Sequence, residues 1–340
     1  MKKAILLNDT SGVPHHGCRI VSRCINNLLL RNNIKVIDTN PCERNWVHNK
    51  RLLKNIQIAD IIIVNGEGTF HHSQTIAMEL ITIAKYVKKT LSIPVVLINA
   101  TIQDNDSKFY EYLKYFDLIF VRESLSSADL LKHGIKCKVV PDLSFYKKFY
   151  IDARKKKIGI GITDSVFLPL SEKMCNLSKS NDYYFLPILS SPNFSFSSMR
   201  QLTITTVFYA KKLYKYVLIK FSHSLEYKDA RVFYYYNNYN DYVNRISDLS
   251  LIIVGRYHSL CFALKTLTPF IAIKSNSFKI EGMLEDIGIG NKCIQPLDNS
   301  RKNIEKNIFF SDEETKRIKL YTYQATNKIE IMFKEISSFI

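Results

Sequence analysis

The chain has 340 residues, a length that suits two domains with separate cores better than one oversized core. Its apolar fraction of 46% is that of a folding protein, and no apolar run approaches the roughly 20 residues needed to span a bilayer. The formal charge of +17 points to anionic substrates, an anionic membrane surface or nucleic acid, and the last is set aside because no helix-turn-helix, zinc finger or RNA-binding aromatic signature accompanies it.

Met1-Lys2-Lys3 leads straight into strand-like sequence without a signal-peptide pattern, so a cytoplasmic protein is expected, at most peripheral at the inner face of the membrane. Seven cysteines, at 18, 24, 42, 137, 175, 261 and 293, show neither a close CxxC pair nor regular spacing. They read as reduced and structural, with no disulfide framework and no metal site. The lysines are spread over the whole chain, as on a solvated surface; only Arg154-Lys155-Lys156-Lys157 is a tight basic cluster, where a linker is expected.

Short apolar runs alternate with helical patterns, which predicts parallel α/β layering. Strands are expected at 4–7, 35–37, 61–64, 95–98, 118–121 and 139–140. Between them, Ile20, Val21, Cys24, Ile25, Leu28 and Leu29 predict a helix over 19–31, and Leu80, Ile81, Ala84 and Val87 one over 76–88. This first unit, 1–150, reads as a doubly wound Rossmann-like sheet. A second begins at Ile158 with a strand that ends in a Gly159-Gly161 turn, and continues with strands near 184–189, 216–219, 232–235, 251–254 and 270–273. It is assigned to 151–311, and Asp312-Glu313-Glu314 opens a final helix over 312–340. The aromatic stretch 183–196 reads either as core or lid packing or as an acceptor groove.

Ligands of open α/β sheets gather outside the carboxyl ends of the strands. Four polar clusters of this chain fall at such ends: 8–17 with Asp9, His15 and His16; 65–73; Arg122-Glu123-Ser124; and Gly255-Arg256-Tyr257-His258-Ser259. Each alone is an ordinary strand-to-helix turn. Four on one rim make a cleft between two domains.

In "NGEGTFHH", Asn65, Gly66, Gly68 and Thr69 read as an anion-binding turn before a helix N-terminus, although neither a Walker A lysine nor GxGxxG spacing is present. Glu67 is the carboxylate placed to accept a proton or hold a sugar hydroxyl, and His71 or His72 could donate to phosphate. Adjacent histidines cannot both face one way, so one of the two is expected to serve, and they lack the i, i+4 spacing of metal ligands. The competing reading has Glu67 capping the helix. In "VGRYHSLCFALK", alternation in an extended segment would send Arg256 and His258 to one side, with Ser259 opening a helix: an anion grip and a proton donor. The competing reading pairs Arg256 with an acidic neighbour and makes His258 a cap.

"VNGEGTFHHS", "FVRESLS", "VVPDLSF" and "GRYHSLCFALKTLTPFIAI...FKIEGMLEDIG" resemble, in order and spacing, the motifs of the polysaccharide pyruvyltransferase family, over about Asn8 to Gly290. The resemblance implies two facing Rossmann-like domains of GT-B type, α/β throughout, and transfer of an enolpyruvyl-derived group from phosphoenolpyruvate to two sugar hydroxyls, forming a ketal. It gives Arg256 and His258 the donor, with Ser259 beside them and Lys279 as a weaker carry-over. His258 is then the expected acid and Glu67 or Asp9 the base, and no cofactor or metal is called for. The first loop, "NDTSGVPHHGC", departs from the family in carrying His15-His16. That departure keeps a second donor open: a CMP-, UDP- or GDP-sugar in capsule, lipopolysaccharide or exopolysaccharide synthesis, on the same scaffold. A non-catalytic glycan-binding subunit is the third reading. The acceptor expected under either enzyme reading is a surface glycan or its lipid-linked precursor.

Overall fold

Burial with a period of two sets the architecture. Strand β1 (Lys2–Asp9) sends Ile5 and Leu7 into one apolar cluster and Ala4 and Leu6 into another, all four inaccessible to solvent. A strand buried on both faces needs cover on both. The computed structural model, which describes residues 1–42, 44–149, 157–189, 238–294, 297, 304 and 306–340, supplies that cover with helices.

Strands β2 (Ile34–Pro41), β3 (Ile61–Asn65), β4 (Val95–Ala100), β5 (Leu118–Val121) and β6 (Lys138–Val139) join β1 in a parallel sheet of order β2-β1-β3-β4-β5-β6. Helix α1 (His16–Arg31) packs Ile20, Val21, Ile25 and Leu28 against Ala4, Leu6, Ile61 and Ile63. The other face is covered by α2 (Lys50–Ile56), α3 (Thr75–Thr90), α4 (Ser107–Leu113) and α5 (Ser124–Lys132), through Leu52, Leu80, Ile81, Phe109 and Leu130.

A second parallel sheet, of order β11-β10-β9-β7-β8, holds β7 (Ile158–Ser165), β8 (Tyr184–Phe185), β9 (Leu249–Gly255), β10 (Phe270–Ile273) and β11 (Cys293–Ile294). Helix α6 (Leu168–Ser180) covers one face with Met174 and Cys175. Helices α7 (Tyr239–Asp248), α8 (Tyr257–Thr266) and α9 (Lys279–Ile287) cover the other. That inner cluster is continuous with the one under α1, so the two sheets share apolar contact. Helix α10 (Asp312–Ser338), opened by a capping box between Ser311 and Glu314, spans both. Near its start Arg317 donates to the Gly288 carbonyl (2.8 Å), and near its end Glu335 pairs with Lys138 (2.6 Å) and Ser337 donates to the Asn32 carbonyl (2.9 Å). Its inner face buries Ile318, Ile329, Met332, Phe333 and Ile336; at roughly 1.5–3 kcal/mol each, these side chains hold it down.

Several expectations need correction. Gly159 and Gly161 form no turn: the strand runs on to Ser165, and a Cβ at Gly161 would lie 2.4 Å from Leu249 Cδ1, so that glycine serves strand packing. The strand expected over 184–189 is only the pair Tyr184–Phe185, and the short strand Cys293–Ile294 was not anticipated. Helix α1 begins at His16 rather than Arg19 because the His15 ring caps it, accepting from the Cys18 amide. Helix α8 begins at Tyr257, two residues before Ser259. The strands expected at 216–219 and 232–235, residues 190–196 of the 183–196 stretch and Arg154 to Lys156 lie outside the described residues; Lys157 donates to the Ser247 carbonyl.

Candidate active site

The carboxyl ends of the two sheets meet, and the charged residues that follow their strands meet with them. From the first sheet come Glu67 after β3, Arg122 after β5 and Asp142 after β6. From the second come Asp164 at the carboxyl end of β7, Arg256 and His258 after β9, and Lys279 after β10.

His258 sits in the first turn of α8 and is 6% exposed. Its Nε2 lies 3.5 Å from Glu67 Oε1 and 3.5 Å from Asp142 Oδ1. Neither approach is a hydrogen bond, and Nε2 and Glu67 Oε1 are both buried without a hydrogen-bond partner among the described residues. The imidazole is wedged from behind by Gly17 at the start of α1, where a Cβ would stand 2.1 Å from His258 Cγ. The His15 ring meets it edge-on at 5.4 Å.

Glu67 does not cap a helix. The Thr10 hydroxyl donates to its Oε2 at 2.9 Å, and its backbone N–H is held by Asn65 Oδ1 at 3.2 Å. Asn65 is in turn fixed by Asn8, whose amide donates to the Asn65 carbonyl at 2.6 Å. Oε1 is thereby left aimed at His258. Gly68 has the left-handed backbone of a turn (φ 78°), whereas Gly66 is needed because a Cβ there would stand 2.4 Å from Ala100 Cβ. Helix α3 begins only at Thr75, so the turn is not the helix N-terminal anion site that was expected.

Arg122 and Asp142 form a buried ion pair of 3.1 Å, with side chains 2% and 0% exposed. Thr101 Oγ1 accepts from Arg122 Nε at 2.7 Å, and the guanidinium lies over the Tyr257 ring at 4.4 Å. Burial alone would raise the Asp142 carboxyl; the His258 ring, the Arg122 charge and the Ser144 N–H together hold it well below the usual carboxylate range.

Arg256 does not share a side with His258 in an extended segment: it is the residue preceding the helix, and its Nε and Nη2 reach Asp164 Oδ2 at 2.8 and 2.6 Å. The competing reading of Arg256 is therefore the one the structure adopts. Its remaining N–H groups stay available, because a guanidinium has five donors. Lys279 is 6% exposed and bonds Asn276 Oδ1 at 2.5 Å, with no carboxylate in ion-pair range among the described residues. Burial, then Arg122 and Arg256, push its ammonium down to about 7.

His71 and His72 face different ways. His71 is buried, meets Asn276 across the sheets at 3.4 Å, and is pushed down to about 4 by burial and by Lys279. His72 points to solvent, 3.8 Å from Asp104. His16 stacks on Tyr242 at 5.0 Å, and Ser259 Oγ pairs with the Tyr242 hydroxyl at 2.9 Å, so both are packing supports behind α8. The His15 ring, half-buried beside His258 and Arg256, is held well below its ordinary value by desolvation and then by those two groups. The Asp9 carboxylate accepts from the Ser11 amide and from the Ser11 and Ser22 hydroxyls, and so braces the first loop. Thr69 keeps a buried, unpartnered hydroxyl. Sequence reasoning missed Asp142, Asp164, Thr10, Asn276 and Gln103, whose Oε1 accepts from the Phe278 amide at 2.7 Å.

Two parallel sheets covered by helices, meeting at their carboxyl ends over carboxylates, an imidazole and cations, define a GT-B-like fold. Among solved structures, the UDP-GlcNAc 2-epimerase from Neisseria meningitidis bound to UDP-GlcNAc matches with a TM-score of 0.52 at 11% identity, over 99% of each chain. That of Methanocaldococcus jannaschii in complex with UDP-GlcNAc and UDP matches at 0.50 and 13%, over 95% of this chain and all of that one. At such identities the likeness is one of fold. A search of curated proteins finds no match. The family model for polysaccharide pyruvyl transferase matches residues 17–277, and the chain belongs to that family of transferases.

Proposed function

We propose that this transferase forms a pyruvate ketal on a glycan or lipid-linked glycan, with phosphoenolpyruvate as donor, His258, Glu67 and Lys279 as its working residues, and Arg256 assisting through the N–H groups that Asp164 leaves free. The observation that carries the reading is the 3.5 Å gap between His258 Nε2 and Glu67 Oε1, both buried and neither hydrogen-bonded. An unmade hydrogen bond costs roughly 1–3 kcal/mol per buried group, a cost that substrate can relieve.

His258, as imidazolium, gives its Nε2 proton to the donor methylene, which becomes the methyl group, and C2 takes on oxocarbenium character. A sugar hydroxyl adds to C2 as its proton passes to Glu67 Oε1. The second hydroxyl then displaces phosphate from C2, and its proton leaves with the phosphate; the Glu67 proton returns to His258 across the same gap. Asp142 keeps the imidazolium oriented and stabilised, and Lys279 with the free guanidinium edges of Arg256 balances the donor charges. A nucleotide-sugar donor remains the second reading, favoured by a fold shared with proteins that bind UDP-GlcNAc. Domain limits of 1–150, 151–311 and 312–340, with the acceptor on the first and the donor on the second, belong to the same proposal, as does a cytoplasmic location; among the described residues no helix is long and apolar enough to cross a membrane.

The test is a thermal-shift titration with phosphoenolpyruvate, CMP, UDP and GDP on the native protein and on Lys279→Met. A ligand at 100 times its Kd stabilises by about 2.7 kcal/mol. A shift with phosphoenolpyruvate that Lys279→Met loses supports ketal formation. A shift with one nucleotide alone hands the site to a sugar donor.

A further inference from the structure

Helix α10 presents a second face that the fold leaves unused. Opposite its buried row, residues 316, 320, 323, 327, 331 and 334 recur at helical spacing, as Lys, Leu, Tyr, Asn, Ile and Lys. Leu320, Tyr323 and Ile331 are 53%, 68% and 61% exposed, in a chain whose other large apolar side chains are mostly buried. Lys316, Lys319, Lys328 and Lys334 flank them, all exposed and none in an ion pair among the described residues. Four of the five acidic residues of the helix are engaged, Glu313 with Arg317, Glu314 with Lys292, Glu330 with Tyr146 and Glu335 with Lys138; the fifth, Asp312, is exposed at the first position of the helix.

We infer that the outer face of α10 docks the protein onto an anionic lipid surface, Leu320, Tyr323 and Ile331 entering the headgroup boundary and the four lysines engaging acidic headgroups. Charge selects the occupant. A second copy of the helix would set Lys316 and Lys334 against like charges, whereas an anionic leaflet complements them, and the net charge of +17 draws the molecule to it. Apolar side chains with lysines on either flank are the pattern of a helix lying in a membrane interface. Binding of this kind does not depend on which donor the cleft takes, so its failure leaves the transferase reading intact.

The experiment is co-sedimentation of the full chain with vesicles of phosphatidylcholine, and of phosphatidylcholine with about one third phosphatidylglycerol, at low salt and at about 0.5 M salt. The native protein is expected to pellet with the anionic vesicles only and to be released by salt. Leu320→Gln/Tyr323→Ser/Ile331→Gln and, separately, Lys316→Gln/Lys319→Gln/Lys334→Gln should each weaken partitioning at least tenfold with unchanged melting temperature. The control Lys50→Gln/Lys54→Gln, on exposed residues of α2, should bind as the native protein does. Absence of binding overturns the inference, and so does a control that weakens binding as much as the α10 variants, since net charge would then be the cause. A dimer in light scattering that the apolar triple variant abolishes would give the face to a second copy and overturn it too.

Discussion

Replacing Asp142 by Asn isolates one charge in the buried centre of the site. The Asn side chain keeps the shape and can still accept from the Ser144 amide, now 2.9 Å from Oδ1. What it loses is the partner of Arg122, which is 2% exposed and keeps its charge at any accessible pH. Removing one side of a buried pair costs about 3–5 kcal/mol. Arg122 retains Thr101 Oγ1 at 2.7 Å and the Tyr257 face at 4.4 Å, which places the expected loss near the lower limit, about 3 kcal/mol. Urea unfolding at pH 7, followed by both fluorescence and circular dichroism so that coincidence checks for a single transition, reads it directly. The pH dependence gives the sign. Asp142 is depressed in the fold, so its contribution is fully present above its unfolded value near 4 and is lost as pH falls below that. The gap between native and variant protein should therefore narrow by roughly 1.4 kcal/mol for each pH unit below about 4. Arg122→Met combined with Asp142→Asn should recover part of the loss. A loss under about 1 kcal/mol at pH 7, or one that is the same at pH 3, refutes the assignment of a buried, electrostatically coupled pair.

Lys279, lowered to about 7, binds its proton more weakly in the fold than unfolded, so stability of the donor-free protein should rise with pH from about 7 to about 10. Lys279→Met should flatten that rise and raise the melting temperature at pH 6; donor affinity of the native protein, by isothermal calorimetry, should fall as pH climbs above about 7. His71, lowered to about 4, should draw stability down as pH falls from about 6.5 to about 4, and His71→Asn should flatten that limb of a melting-temperature profile. Gly17→Ala would put a Cβ 2.1 Å from His258 Cγ, so either the imidazole or the first turn of α1 must shift. Turnover should drop at least tenfold with the far-ultraviolet circular dichroism preserved.

Much of the fold was legible because apolar periodicity is local. The strands at 61–64, 118–121 and 270–273 were read within a residue of their limits, since Ile, Val and Leu runs bounded by polar turns admit few alternatives. Glu67 and His258 were legible as site residues because both follow strand ends, and they do meet. Asp142 was not: it follows a strand of two residues, and its partner Arg122 is 20 positions away, a pairing that no local pattern encodes. Asp164 was not legible either: glycines 159 and 161 imitate a turn that would end the strand before it, whereas β7 runs on to Ser165 and Gly161 serves close packing. Arg256 was misread through a single dihedral boundary. It is the last extended residue (φ −123°, ψ 131°), and Tyr257 already turns helical, so the period changes from 2 to 3.6 in the middle of the motif.

The pairing of charges divides the site into residues that hold it together and residues that are free to act. Asp142 is answered by Arg122 and Asp164 by Arg256. Glu67, His258 and Lys279 remain: a carboxylate, an imidazole and an ammonium, none of them with a hydrogen-bonded opposite charge among the described residues. Such groups are kept at a cost to stability, and function is the usual reason. Glu67→Gln should accordingly melt no lower than the native protein, since the Thr10 hydroxyl, at 2.9 Å, can still donate to the amide oxygen, yet phosphate release from phosphoenolpyruvate in the presence of acceptor should fall at least a hundredfold, the scale of a lost general base. His258→Gln should behave in the same way. Thermal denaturation and phosphate release on the same preparations decide the matter: a Glu67→Gln protein that melts well below the native one and still turns over would make Glu67 a structural residue and move the base elsewhere.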